Sequence, residues 1–304
     1  MGRFLLRRLG QSVLTLFAVS VFAFAMIHLV PGDPATIALG PNATPQAVAQ
    51  LRHQLGLDQS LAHQYWTFII NALHGNLGVS IRSQQPVSAE IISRAGSTVD
   101  LALSATVLAV IVGVAVGVIA ATPRRWIDLS VMTTALAGLS MPTFWSGILL
   151  ILLFGLTWHI FPVVGAGGLS TLVLPAVTLA LPAAAVLARI TRGSMLEVLR
   201  QDFVRTARAK GIRRSRVVLR HALPNAVVPV MTIIGLQIGG LLSGTVVVES
   251  LFARPGVGRL AVQAIQERDF PVVQGVVLLA GLVFVVINLI TDLLYPLVDP
   301  RIRR

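Results

Sequence analysis

The sequence predicts an all-α polytopic membrane protein with six spans, and three observations predict it. Of 304 residues, 55% are hydrophobic and 12% charged, with a mean hydropathy of +0.82, far too apolar for an ordinary soluble domain. Six apolar runs recur, at about 9–30, 99–121, 129–156, 171–190, 226–248 and 272–294. At ~1.5 Å per helical residue each can cross a hydrocarbon core of about 30 Å. The basic residues are also sorted: with both termini, the 122–128 turn and the 189–225 loop on one side, that side holds 18 of the 24 Arg and Lys residues. The positive-inside rule makes that side the cytoplasm, so both termini are expected there.

Arg3, Arg7 and Arg8 precede the first run, which continues past Ala23-Phe24-Ala25 and so reads as a span rather than a cleaved signal. Residues 31–98 then form the only sizeable polar insert. Thr44-Pro45 opens a helix that Gly56 ends, and a second helix from about Ser60 to Leu73 carries Leu61, Tyr65, Phe68, Ile69 and Ala72 on one face. His53, His63 and His74 lie here without metal-ligand spacing and are read as solvated or interfacial.

Within the spans, Gly113/Gly117, Gly235/Gly239 and Gly240/Gly244 place small residues four apart, the spacing that lets helices approach closely. Gln237 and Ser243 either line a polar pathway or hydrogen-bond between helices. Pro142, Pro175 and Pro182 are expected to kink spans three and four. Asp100, Asp128, Arg189, Glu249 and Asp292 all fall near span ends, so no midplane ion relay is visible. Between spans five and six, ESLFARPGVGRLAVQAIQERDF reads as a turn at Arg254-Pro255-Gly256 and a short helix from Gly258 to Glu267, with its charges solvated.

The 192–225 loop is the long polar island of the C-terminal half, with nine Arg or Lys against Glu197 and Asp202. Its grammar is two short helices: Asp202 caps one running to Lys210, Gly211 takes the left-handed position, Ser215 caps the next and Pro224 closes it. Such a loop could bind DNA, anchor topology, or be gripped by a partner; hydrophobic spans on both sides argue against nucleic acid. Several chemistries are absent. There is no cysteine, and Lys210, the only lysine, lies in AKGI, so no phosphate-binding P-loop exists here. His28 and His159 lie near span ends, and no catalytic or metal-binding constellation accompanies them.

Ala207, Gly211 and Leu223-Pro224, with nine residues between Gly211 and His221, resemble the EAA loop of ABC importer permeases, E-A-A-x3-G-x9-I-x-L-P. The chain departs from that pattern at Arg205, Thr206 and His221, which stand where Glu, Ala and Ile are expected. The motifs LVPGDPA (29–35), LGLD (55–58), GNLGVS (75–80), SMPTFW (140–145), RTARAKG (205–211), ESLFARPGVGRL and RDFPVVQG (249–275) extend the resemblance over nearly the whole chain. Together they resemble the first, longer-insert permease of bacterial dipeptide, oligopeptide or nickel ABC importers.

The resemblance implies a type I ABC importer permease fold in a bacterial inner membrane, with residues 1–30, 31–98 and 99–304 as N-terminal span, extracytoplasmic insert and permease core. It implies a second homologous permease, one or two ABC ATPase subunits carrying ATP and Mg, and an extracytoplasmic substrate-binding protein. The chain itself would bind no cofactor and catalyse nothing alone. The insert would be a platform for the binding protein or a lid over the pathway. Arg205, Thr206, Ala207, Arg208, Gly211, Leu223 and Pro224 would form the ATPase-coupling surface. Met141, Trp145, Gln237, Gly240 and Gly244 are the pathway candidates, the last three sharing a helix face at i, i+3 and i+7. Dipeptide, oligopeptide and nickel remain open as cargo, and the competing class is a passive channel or ion-coupled secondary transporter working alone.

Overall fold

The computed structural model describes residues 2–29, 32–40, 42–121, 125–165 and 167–298. Val30 and Pro31 of the LVPGDPA motif, Arg124 of the 122–128 turn and the basic tail at Arg301, Arg303 and Arg304 lie outside the described residues. Among the described residues, five helices are long and apolar enough to span a membrane: Leu6–Leu29, Val87–Ala120, Ser170–Val198, Arg214–Leu251 and Phe270–Thr291.

The third expected span, 129–156, is not one kinked helix. It is two pieces, Trp126–Ser140 and Thr143–Thr157, bent by 107°. Pro142 supplies the reason: it is the extended residue ahead of the second piece, at φ −58° and ψ 137°. A proline lacks the N–H of a helical bond and pushes the residue before it, Met141, out of the α region. Pro175 and Pro182, by contrast, lie inside a helix that runs on through both.

The chain divides into two compact units, residues 1–97 with 255–289 and residues 98–254 with 290–304. In the first, α1 (Gly2–Leu29) is followed by α2 (Pro34–Leu39), α3 (Pro45–Gln54) and α4 (Leu61–Leu73). Asp33, Thr44 and Ser60 each accept a hydrogen bond from a first-turn N–H, and Gly56 takes φ +66° after α3. Both insert helices therefore start where their capping residues predict. Span two, α5 (Val87–Ala120), begins well before the expected Val99, still within the insert. Val87 and Ile91 of its first turns pack with Leu260 and Ala264 of α12 (Val257–Glu267) and with Val272, Val273 and Val276 of α13 (Phe270–Val298). Asp269, 2% exposed, fixes the preceding loop by accepting from Ser80 Oγ and from the N–H groups of Ile81 and Arg82.

In the second unit, α8 (Ser170–Val198) forms the centre, burying Ala176, Ala180, Ala183, Ala184 and Ala188. These small side chains admit neighbouring backbones. A Cβ on Gly113 would stand 2.6 Å from Leu187 Cβ and 2.8 Å from the Ala184 carbonyl oxygen, and one on Gly117 2.6 Å from the Ala188 carbonyl oxygen. Gly235 of the next long helix, α11 (Leu223–Leu251), is pressed against Thr291. The glycine pairs of spans two and five are thus packing sites at Gly113, Gly117, Gly235 and Gly244, the last set against Leu179. Gly240 differs: no atom lies within 4 Å of its Cβ position.

The charges after span five are not all solvated, contrary to the expectation from sequence. Glu249 is 0% and Arg254 5% exposed. Burial is sustained because the groups answer one another. Thr98 Oγ1 donates to Glu249 at 2.6 Å, and Arg254 donates to the Thr171 carbonyl at 3.4 Å. Burial pushes the Arg254 guanidinium down from its ordinary pKa, while the carboxylates of Glu249 and Asp100 act in the opposite direction.

Two substitutions check this packing. Gly113→Leu should destabilise the subunit by about 1–3 kcal/mol or more, because its obstacle includes backbone, whereas Gly138→Leu, with nothing within 4 Å, should be near neutral; thermal unfolding in detergent compares them. Glu249→Ala should cost about 3–5 kcal/mol by leaving the buried Arg254 charge one carboxylate fewer, and Glu249→Gln, which keeps the shape, should cost less in the same assay.

Candidate functional site

The first seven residues of the expected 192–225 loop, Arg192 to Val198, continue α8, which ends at Val198 rather than near the expected Ile190. Helix α9 (Asp202–Ala209) follows, and Val204 and Ala207, three apart on one of its faces, are buried with Val217 against Leu199 and Ile212. Gly211 then reverses the chain at φ +75°. Its N–H bonds the Arg208 carbonyl at 2.9 Å and the Ile212 N–H bonds the Ala207 carbonyl at 3.3 Å. This pair of bonds is the Schellman ending of a helix, completed by the apolar contact of Ile212 with the Ala207 side. No atom lies within 4 Å of a Cβ placed on Gly211, so glycine is required there by backbone conformation rather than by space.

Three local expectations are corrected. Asp202 is the first helical residue and not the cap, which is Gln201 without a side-chain bond. Ser215 lies inside α10 (Arg214–Arg216), whose cap position is Arg213. Pro224 does not close a helix: a π-helical stretch, Val217–Ala222, leads into α11, and Pro224 sits in its first turn. Arg214–Leu251 runs on as one helix, so Pro224 removes a backbone donor from it instead of capping a free end. The wider π register just before it moves the preceding carbonyls out of the ring's way.

The seven coupling candidates separate into two groups. Ala207 is buried and Leu223 half-buried, and Leu223 packs beside Met195, Val198, Ala222 and Ala226. Arg205, Thr206, Arg208, Gly211 and Pro224 are exposed. Arg205 reaches Asp202 at 3.6 Å with both side chains in solvent, a pair worth about 0–1 kcal/mol. The Thr206 hydroxyl bonds back to the Asp202 carbonyl at 3.0 Å. The sequence reading passed over Phe203, an aromatic 41% exposed on this basic helix. The signal was available: it adjoins Val204 and so falls outside the apolar face that Val204 and Ala207 define. The loop is tied to the span bundle by Ser194, whose hydroxyl donates to the Ala226 carbonyl at 2.9 Å, and by the Arg192–Asp128 ion pair.

The pathway candidates are less concentrated. Gln237 Nε2 points to the Ala183 carbonyl at 3.5 Å and Gly244 faces Leu179, so both lie towards α8, while Gly240 is open. Met141 and Trp145, both partly exposed, flank the break at Pro142. The helix that carries Trp145, α7 (Thr143–Leu150), meets α11 where Gly147 abuts Leu251, about two turns beyond Gly244. The two groups of candidates are not joined by that contact. Among the described residues, no three His, Asp or Glu side chains gather as a metal site.

Comparison with known proteins converges on one family. The Binding-protein-dependent transport system inner membrane component family matches residues 113–304, and the N-terminal membrane component family of the same systems matches residues 1–102. The glutathione transport system permease protein GsiC of Escherichia coli (strain K12) is 47% identical over 304 residues, covering 100% of this chain and 99% of that protein. GsiC of Shigella flexneri serotype 5b (strain 8401) shows the same identity and coverage. Among solved structures, an inward-facing form of the MetNI methionine ABC transporter aligns with a TM-score of 0.55 at 17% identity, covering 69% of this chain and 96% of that one. An amino acid ABC transporter aligns at 0.51 and 18%, covering 71% and 95%. Chains this dissimilar in sequence share the fold alone. The chain therefore belongs to the binding-protein-dependent transport system inner membrane component family: it is a multi-pass inner-membrane permease subunit of an ABC importer, whose ATP is handled by a separate ATPase subunit.

Proposed function

We propose that this permease moves small peptides delivered by an extracytoplasmic binding protein, with a second, homologous permease completing the pathway and both termini in the cytoplasm. The cargo rests on one observation, the full-length 47% identity to permeases named for glutathione transport, a tripeptide. In this reading the 31–98 insert lies outside the cytoplasm and the 192–225 loop receives the ATPase. What supports the loop's role is its construction. Exposed Phe203, Arg205, Thr206 and Arg208 project from a helix whose other side packs through Val204 and Ala207 on Val217, in the π-helical stretch that runs into α11, and on Leu199, the residue after α8. A helix held this way turns a partner's movement into movement of two spans. The pathway is placed along α11 at Gly240, with Gln237 and Gly244 beside it and Met141 and Trp145 at the break of the bent pair.

The cargo is checked by purifying the binding protein of the assembled transporter and identifying what it retains by mass spectrometry, with uptake competition in cells. A peptide of glutathione's size that competes for uptake is expected; retained nickel or a non-peptide would overturn the assignment. Coupling is checked by substrate-stimulated ATP hydrolysis in the reconstituted complex, with subunit content measured separately. Gly211→Val should abolish stimulation, since a branched residue at φ +75° costs more than the ~1–2 kcal/mol of an ordinary left-handed residue. Arg205→Ala should keep stimulation within about fivefold, the ceiling of an exposed ion pair. In the same preparation Gly240→Leu should stop transport while leaving assembly intact. Full stimulation by Gly211→Val, or normal transport by Gly240→Leu, would remove these residues from coupling and pathway respectively.

A further inference from the structure

Helix α4 of the insert does not stand in water above the membrane. It lies against α1, and the contacts say how deep. Tyr65 and Phe68 place their rings beside Phe24, with centroids at 5.4 and 6.0 Å, and Tyr65 also meets Phe17 edge-on at 6.5 Å. The Tyr65 hydroxyl is 2.9 Å from Ser20 Oγ, and Gln64 Oε1 is 3.0 Å from His28 Nε2. The apolar segment of α1 runs from Leu6 to Leu29. At ~1.5 Å per residue, Phe24 sits about 8 Å and Ser20 about 14 Å inside its Leu29 end. Side chains of α4 thus reach positions that a span must keep within the hydrocarbon, so its axis lies at the depth where amphipathic helices rest, about 5–10 Å into the boundary of headgroups and acyl chains.

The rest of the helix surface is divided to suit that place. Tyr65, Phe68, Ile69 and Ala72 occupy the face on the α1 side and are half-buried. Next to them around the helix, Trp66, Ile70 and Leu73 form a second apolar stripe at i, i+4 and i+7, exposed at 64%, 38% and 81%. His63, Thr67 and Asn71 complete the circle as an exposed polar stripe. A helix apolar on two of three faces, with tryptophan in the outward one, has the distribution of a monotopic interfacial helix, tryptophan being the residue that settles at the headgroup level.

We infer that α4 is embedded in the leaflet at the Leu29 end of α1, its Trp66, Ile70 and Leu73 stripe covered by lipid acyl chains and its His63, Thr67 and Asn71 stripe turned to the headgroups and water. The insert is then anchored to the bilayer, and α1 and α4 form one membrane-bound pair. This holds whichever way the termini face.

The absence of cysteine makes the test direct. Single variants Trp66→Cys, Leu73→Cys, His63→Cys and Asn71→Cys are spin-labelled in the complete transporter in lipid nanodiscs, with assembly confirmed by gel filtration. Collision with oxygen, which concentrates in acyl chains, is compared with collision with a water-soluble nickel chelate. Labels at 66 and 73 should be several-fold more accessible to oxygen than to the chelate, and labels at 63 and 71 the reverse. Chelate access at 66 and 73, lost only when the binding protein is added, would overturn the inference in favour of a protein-docking platform. Shielding of 66 and 73 from both reagents would overturn it in favour of a contact with the second permease. Two positions are used on each stripe so that a single ill-tolerated substitution does not decide the result.

Discussion

Close approach of backbones around α8 is the constraint on which the second unit depends. In a bilayer there is little hydrophobic gain in moving a side chain from lipid to a helix interface, so association relies on the quality of contact. Alanines along α8 and glycines at 113 and 117 of α5 bring main chain against side chain and main chain, to the point that no Cβ fits. On the opposite side Gly244 lets α11 reach Leu179, and Gly147 lets α7 reach Thr178 and Leu251. Each glycine costs its helix about 0.5–1 kcal/mol relative to alanine in conformational entropy. Together they set the distances between the helices, and everything that α8 and α11 carry at their ends is positioned by those distances.

At the end of α11 that bears Glu249, this close packing coexists with a buried charged group, and the two facts are related. Glu249 and Arg254 could not be held at 0% and 5% exposure in a loose bundle without water entering. Val248 and Phe252, either side of Glu249 in sequence, are buried with Leu174 in the same apolar cluster. The cost of desolvation is then offset by the Glu249 bond to Thr98 and by the facing charges of Asp100, Glu249 and Arg254. Such a cluster is a weak source of net stability and a strong source of geometric definition, since its members tolerate few alternative arrangements.

The sequence disclosed what is local and periodic. The apolar runs, the caps at Thr44 and Ser60, the left-handed Gly211 and the four-residue glycine spacing each follow from neighbours within a turn or two; the structure has the caps, Gly211, five of the six runs as single long helices, and close contacts at Gly113, Gly117, Gly235 and Gly244 but not at Gly240. It did not disclose the break at Pro142, because Ser140-Met141-Pro142 is equally consistent with a kink; whether a helix bends or stops depends on what surrounds the freed carbonyls. Nor did it disclose the burial of Glu249, whose partner Thr98 is remote in sequence, or the π-helical stretch before Pro224. Phe203 and the Trp66 stripe are visible in the sequence as apolar residues off an apolar face, but periodicity alone does not say what an apolar residue on a second face meets. In α4 it is the contact with α1 that shows there are two.

Stiffness within the 192–225 loop follows from comparing the contacts that hold α9. Burying Val204 and Val217 fully is worth on the order of 1.5–3 kcal/mol each, and the Schellman bonds at Gly211 close the helix end onto that core. The Arg205–Asp202 pair adds about 0–1 kcal/mol. The apolar side therefore wins: α9 is fastened from within, and its charged side is free to meet a partner without reorganising the fold. The compliant element lies next to it. Val217–Ala222 is a π-helical interruption of the regular α ladder, and Pro224 and Pro229 remove two backbone donors from the start of α11. A push on α9 thus meets a rigid link to α8 through Leu199 and a softer link to α11 through the π stretch. The two spans need not move equally; the base of α11 is where their motions can differ.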